Sequence, residues 1–449
     1  MPDAPLLVVA VIPFLVLAGL AIALVAGGRA ARGRVEGWRQ AFGDLGIEVS
    51  QVIPDVQARI EGHVDGLTVA LSDVRERETS AEPGPELLVT GLAHVGLVPA
   101  RRWGREDETL GDEAFDGAVT LDGDGAGLSA LLDAATREAV LRLLRLGVRV
   151  EAGRLTRPLG EAAADPGRLR GAIGETLDLA RRLRPPVDLA ARLAANAARD
   201  PAAAVRRRCL GLLADRFPGL PAARKALLAG LDDDETVRVR AAAALGEAGH
   251  AALCGLAGSR DDAVAGEAIA ALEAALPVAR ALELLDAALE TGRGPVVRAL
   301  VAALGRVGGA RARERLVGLL AVAGPWSVAA AYALAAGRDA AVERHLVAAL
   351  AADDDALRAA AADALAAAGT VAAVPALRAA AAAHPFDLEL RRAVAGAVAA
   401  IRERATGAAP GQLSLAGGEA GRLAVTDDAG GALSIADRRP GGQARLPEG

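Results

Sequence analysis

The sequence is short of the side chains that do most protein chemistry. It holds two cysteines, five histidines, one tyrosine and one lysine, Lys225, and aromatics make up 2% of the chain. Cys209 and Cys254 stand 45 positions apart in helical sequence and imply no disulfide framework. Cys209 falls on an apolar stripe, where it reads as a small buried residue and not a reactive thiol. So few aromatics argue against an aromatic-lined cofactor cavity. With a net charge of −6 the chain lacks the concentrated basic face that phosphate neutralisation requires, so no nucleic acid is expected as a partner. The run Arg206-Arg207-Arg208 reads as a solvated face that also hydrogen-bonds between helices.

Catalytic motifs are missing for specific reasons. A phosphate-binding loop needs Gly-Lys-Ser/Thr, and Lys225 sits between Arg224 and Ala226. There is no His-Glu-x-x-His, Gly-x-Ser-x-Gly or Cys-x-x-Cys, and His63, His94, His250, His345 and His384 have no metal-ligand spacing. Asp122-Gly-Asp124-Gly-Ala126-Gly127, with Asp133 in twelfth place, imitates a calcium loop, but Ala126 removes a ligand and Asp133 is shorter than the bidentate Glu such loops use. A strand-to-helix turn is expected there. Leu128 breaks the dinucleotide glycine spacing in the same stretch. No catalytic residue, metal or cofactor is assigned, and the chain is not expected to be an enzyme.

What is abundant is apolar and helical, with hydrophobic residues at 52%. Residues 4–26 carry no charge and are long enough to cross a bilayer, with Arg29, Arg32, Arg34 and Arg39 following. A charge at the membrane centre costs about 2.5–3.5 kcal/mol, so the span should end before Arg29, and the arginines place the C-terminal side in the cytoplasm. A cleaved signal peptide would instead want a basic start and a shorter apolar core. The expected organisation is a transmembrane anchor over 1–28, a juxtamembrane helix over 29–45 with Trp38 and Phe42 at the membrane interface, and a small α+β domain over 46–185. Within that domain 58–64 and 67–74 read as a hairpin across Asp65-Gly66, 87–93 and 117–121 as strands, 128–146 as one helix, 148–155 as a hairpin and 166–183 as a helix. Pro185-Pro186 divides it from the helical second half.

From 186 to 404 a unit repeats about seven times, headed by the pairs Val205/Leu213, Val237/Leu245, Val264/Leu272, Val296/Leu304, Trp326/Leu334, Leu357/Leu365 and Leu390/Val398. A period near 31 with internal offsets of four and eight is the pattern of paired helices stacked into a solenoid. Such a stack leaves a long surface in place of a closed pocket. Beyond 405 comes a low-complexity tail in which Gly411-Gln-Leu-Ser-Leu-Ala, Gly421-Arg-Leu-Ala-Val-Thr and Gly431-Ala-Leu-Ser-Ile-Ala start ten apart. These are either short strands that add to a sheet edge or an unstructured Ala/Gly tail.

The run Asp233-Asp234, Val237-Arg238, Ala241-Ala242, Ala244-Leu245-Gly246 resembles the HEAT repeat, especially the short variety of phycobilisome lyases; Asp354 to Leu365 matches well and the other units less closely. The resemblance implies an all-α HEAT-like solenoid, which follows the α+β N-terminal domain and the one N-terminal transmembrane helix read above. It implies that Arg206, Arg238, Arg358 and Arg391 bridge to aspartates of adjacent loops such as Asp233 and Asp354. It places Arg207, Arg208, Arg240, Glu267, Arg298, Tyr332, Asp363 and Arg392 on the open side of the head helices, as a groove for a protein partner. The HEAT-built iron hydroxylases use His-Glu pairs, and no histidine here is followed by Glu. Gly111-Asp-Glu-Ala-Phe-Asp116 resembles a signature of small domains beside bacterial membrane anchors, without an activity attached; otherwise it is an Asp-rich turn with Phe115 in the core. The resulting expectation is a non-catalytic scaffold anchored in the inner membrane by a single span, its bulk in the cytoplasm. The other reading is an accessory lyase-like protein that presents a cofactor.

Overall fold

The computed structural model describes residues 31–54, 58–73, 84–100, 108–322, 324–337, 340–406, 414–415 and 423–424. They fall into two compact units, Met1–Leu253 and Cys254–Gly449. Among the described residues no helix is long and apolar enough to cross a membrane. This corrects the expected transmembrane helix and the single-pass inner-membrane placement built on it; residues 4–26 lie outside the described residues.

The described part of the first unit begins in helix α1, described over 31–44, whose buried stripe there is Ala31, Val35, Trp38, Ala41 and Phe42. Spacings of three and four put these on one face, and Trp38 and Phe42 are fully buried in the core, not held at a membrane interface as expected. Eight strands follow: β1 (Glu48–Ile53), β2 (Arg59–Val64), β3 (Leu67–Ser72), β4 (Glu86–Thr90), β5 (Gly96–Pro99), β6 (Val119–Asp122), β7 (Arg149–Glu151) and β8 (Arg154–Pro158). They form one antiparallel sheet in the order β1-β2-β3-β4-β8-β7-β5-β6. Two hairpins close through paired positive φ values, 52° and 76° at Asp65-Gly66 and 50° and 77° at Ala152-Gly153. That is the twist a two-residue turn must supply, and the first is the turn the sequence announces.

Interspersed are α2 (Glu113–Asp116), α3 (Gly125–Leu131), α4 (Ala134–Leu144) and α5 (Pro166–Arg182). The single helix expected over 128–146 is two. Asp133 accepts from the backbone N–H and the hydroxyl of Thr136 (2.8 and 2.7 Å), a cap that starts a new helix where one would otherwise run through. Asp124 caps α3 by accepting from Gly127 N at 2.9 Å, so the calcium-like stretch is a strand-to-helix turn. In the Gly111–Asp116 segment Asp116 accepts from Leu110 N and Gly111 N, Asp112 caps α2, and Phe115 is buried. Alternate strand residues Ile60, Val69, Leu87, Val89, Leu97, Val150 and Leu155 share one core with α1 and α5.

That core does not stop at Pro185-Pro186. It continues through α6 (Leu189–Arg199) and α7 (Ala203–Arg216) to α8 (Pro221–Ala229) and α9 (Glu235–Ala244). Helix α10 (His250–Leu256) contains the division between the units.

The second unit alternates head helices α11 (Asp262–Leu272), α13 (Gly294–Val307), α15 (Ser327–Ala336), α17 (Asp355–Ala368) and α19 (Leu388–Thr406) with α12 (Val278–Glu290), α14 (Ala310–Ala321), α16 (Glu343–Ala349) and α18 (Val374–Ala383). Each head helix packs on the next, and α12, α14 and α16 likewise pack in series, forming two layers. The helical region is a repeat solenoid. Alanine makes the layers close: a Cβ on Gly305 of α13 would lie 2.5 Å from the carbonyl oxygen of Ala333 in α15. Most pair residues are buried, but Leu245 caps the end of α9 half-buried, and Trp326 stands one residue before α15 with its ring tip over Gly294. In the tail, β9 (Ser414–Leu415) and β10 (Leu423–Ala424) pair antiparallel, Leu415 opposite Leu423.

Candidate partner-binding surface

Four of the head helices are started by the same chemistry. An aspartate three residues before the head accepts from the first free N–H groups: Asp234 from Thr236 and Val237, Asp261 from Ala263 and Val264, Asp354 from Ala356 and Leu357, Asp387 from Leu390. The arginine after the head then fastens the loop. Arg206 donates to the carbonyls of Asp200 and Pro201, Arg238 to Asp233, Arg358 to Ala352 and Arg391 to Pro385.

Two of the four also reach the next loop. Arg206 meets Asp233 through Nε and Nη2 at 2.8 and 2.6 Å, and Arg358 stands 3.8 Å from Asp387. Arg206 holds the Asp233 carboxyl below the usual carboxylate range, and Asp233 in turn raises the Arg206 guanidinium. Arg358 also pairs with Asp355, while Asp354 serves as a cap. The sequence reading missed a further member. Arg293, three residues before the head Val296, reaches back to Asp262 Oδ1 at 2.7 Å and to the carbonyl of Ser259 at 2.7 Å. Its signal was an arginine where other units carry the capping aspartate.

The eight proposed groove residues divide by unit. In the first, Arg207 is half-buried. Arg208 is taken up by the chain itself, donating to Ser129 Oγ at 2.9 Å and to Glu108 at 2.5 Å. Arg240 pairs with Asp215 at 3.2 Å. Beside them Arg216 meets Asp124 at 2.6 Å, and Asn196 donates to the carbonyl of Ser129 at 2.7 Å, so α3 lies on this side of α6 and α7. Gly127 N–H, with help from Arg216, keeps the Asp124 carboxyl ionised below its ordinary range.

In the second unit Glu267 is half-buried, and Arg298, Asp363 and Arg392 are exposed. Tyr332 is 50% exposed, and its hydroxyl donates to Asp363 Oδ2 at 3.4 Å. Partial burial first, then the Asp363 carboxylate, raises the phenol above its ordinary value. This row of alternating charge with one aromatic lies on helices whose opposite faces are core.

Nucleophilic chemistry has little to draw on. Burial pushes the Cys209 thiol up to about 12, so it stays protonated. Among the described residues no group of three His, Cys, Asp or Glu side chains could hold a metal ion.

The most consequential buried charge was not foreseen. Arg137, 3% exposed, donates to both oxygens of Asp200 (2.8 and 3.0 Å), to Asp112 Oδ2 (2.8 Å) and to the carbonyl of Leu132 (2.9 Å). It ties α4 to the α6–α7 loop, across 63 residues of sequence. Nothing in a linear pattern marks such a partner.

No family model matches the chain, and no curated protein does. Solved structures similar to it include human deoxyhypusine hydroxylase in complex with glycerol, at 20% identity and a TM-score of 0.22 over 52% of this chain and 91% of that one. Two engineered proteins are also similar, one at 20% identity and TM-score 0.27 over 62% and 78%, the other at 21% and 0.23 over 48% and 98%. An enzyme thus stands among the matched structures, which corrects the expectation that the chain is not an enzyme. At these TM-scores no residue role passes from it to this chain.

Proposed function

We propose that this chain is a protein-binding scaffold built from HEAT-type repeats of the short, phycobilisome-lyase-like variety, and that the open face of the second unit's head helices receives the partner. The observation that supports this is the row Glu267, Arg298, Tyr332, Asp363 and Arg392: mixed charge and a half-exposed tyrosine on a rigid helical layer. Alternating charge selects a complementary surface and steers association, while an aromatic at the centre of a polar row is the residue type that carries binding energy at interfaces. The test is site-specific photocrosslinking in the native host, with the crosslinker at Tyr332 or, on the second layer, at Arg378. A discrete protein adduct from position 332 that is absent from 378 and is lost in the Arg298→Glu background supports the reading. Equal labelling from both positions, or none from 332, overturns it.

A further inference from the structure

Strand β8 departs from the pattern that builds its sheet. Alternate residues of the strand turn to the core, and the buried Leu155 is followed two positions later by Arg157, opposite the buried Leu87 of β4. Arg157 is only 8% exposed. A guanidinium on the apolar side of a sheet carries a desolvation cost that only good pairing offsets.

The pairing is one-sided. Nη1 alone donates to the carbonyl of Ala172 (2.8 Å), to Thr176 Oγ1 (3.1 Å) and to Glu175 Oε2 (3.2 Å), all on α5. Nε and Nη2 have no hydrogen-bond partner among the described residues. Unlike the Nε atoms of Arg238 and Arg315, they are not sealed from solvent either. These two nitrogens carry the parallel N–H pair that grips both oxygens of a carboxylate or two of a phosphate.

The free edge has a cavity to serve. Arg157 lines a space of about 630 Å³ at the C-terminal end of α4, the end of β8 and the 3₁₀ turn Gly160–Ala164, a size ordinary for a small-molecule site. The turn after α4 closes on β8 at Gly147, which has φ 80° and where a Cβ would lie 2.9 Å from the ring of Pro158. Leu146 and Leu159 add apolar lining. The lining charge is positive, with the exposed Arg145 and Arg149 joining Arg157 against Glu161, in a chain whose net charge is −6.

We propose that this cavity binds a small amphipathic anion, its carboxylate or phosphate head on the Nε–Nη2 edge of Arg157 and its apolar body along Leu146 and Leu159. The site lies wholly within the first unit and is separate from the partner surface of the second.

Calorimetric titration of the full chain with octyl phosphate, octanoate, inorganic phosphate and the neutral octyl glucoside, each below its micelle concentration, tests this. At least one of the two amphipathic anions should bind about tenfold or more tightly than inorganic phosphate and than octyl glucoside, as a charge-assisted fork added to apolar contact requires; which of the two binds better identifies the head. Arg157→Met, which keeps the apolar length of the side chain, should abolish the preference for a charged head. Hydrogen–deuterium exchange of the wild-type chain localises the site without any variant: the anion that binds should slow amides within 144–149 and 157–162, and octyl glucoside should not. No heat from either amphipathic anion overturns the proposal. So does equal affinity for octyl glucoside or inorganic phosphate, anion binding undiminished in Arg157→Met, or slowed exchange confined to other segments.

Discussion

The two units use the same helical repeat for opposite ends. In the first, the side of α6 and α7 that a solenoid would leave open is covered by α3, and Arg208, Arg216, Asn196 and Arg137 are spent on partners within the unit. In the second, the equivalent side of α13, α15, α17 and α19 presents Arg298, Tyr332, Asp363 and Arg392 to solvent. Cohesion differs accordingly: the first unit is stitched by buried charge, the second by alanine and glycine that let backbones approach. A repeat therefore marks a fold, and only its neighbours decide whether its outer side is core or surface.

The sharpest way to break this contrast is Arg137→Met. It leaves the Asp200 carboxylate buried without its bidentate partner, and urea unfolding at neutral pH should show a loss of about 3–5 kcal/mol. An effect below about 1 kcal/mol would mean that the charge network does not hold the first unit. Next is Gly305→Ala in the second unit, where the new methyl meets a backbone carbonyl that cannot yield; about 1–3 kcal/mol should be lost by thermal unfolding.

Smaller effects sharpen the comparison. Asp233 has a depressed carboxyl, so its stabilising share is fully present above the ordinary unfolded value near 4 and is lost as pH falls through the lower folded value. Asp233→Asn should cost about 1 kcal/mol at neutral pH and flatten the acid limb of the stability curve; an unaltered acid limb would remove this loop pair from the account. Smallest of all is Tyr332→Phe. Its exposed 3.4 Å contact with Asp363 predicts a stability change under about 0.5 kcal/mol by the same measurement, which makes it a clean probe for partner binding.

Much of this was legible in the chain because it is written locally. Asp65-Gly66 specifies its turn, Asp234 and Asp354 specify helix starts, and the head pairs specify which side of each helix turns inward. What could not be read depends on distance in space. The break at Leu132-Asp133 is local, yet it was hidden by a periodicity that runs across it, and only the Asp133–Thr136 cap reveals it. Arg137 and Asp200 carry no mutual signal, and Trp38 reads equally as a membrane-facing or a core aromatic until the sheet beneath it is known. For the candidate surface, the stripe positions came from the helical period, whereas the capture of Arg208 by Ser129 and Glu108 required the fold.

Val187 is fully exposed in the linker after the two prolines, an obvious point for a protease to cut. Residues on both sides of that linker nevertheless share one hydrophobic core, and the Arg137–Asp200 clasp joins the two sides. A nick there would therefore release nothing: the two fragments would copurify and separate only in denaturant. The prolines are a seam in the covalent chain and not in the folded body, so gene fusions or truncations placed at this seam would split a cooperative whole.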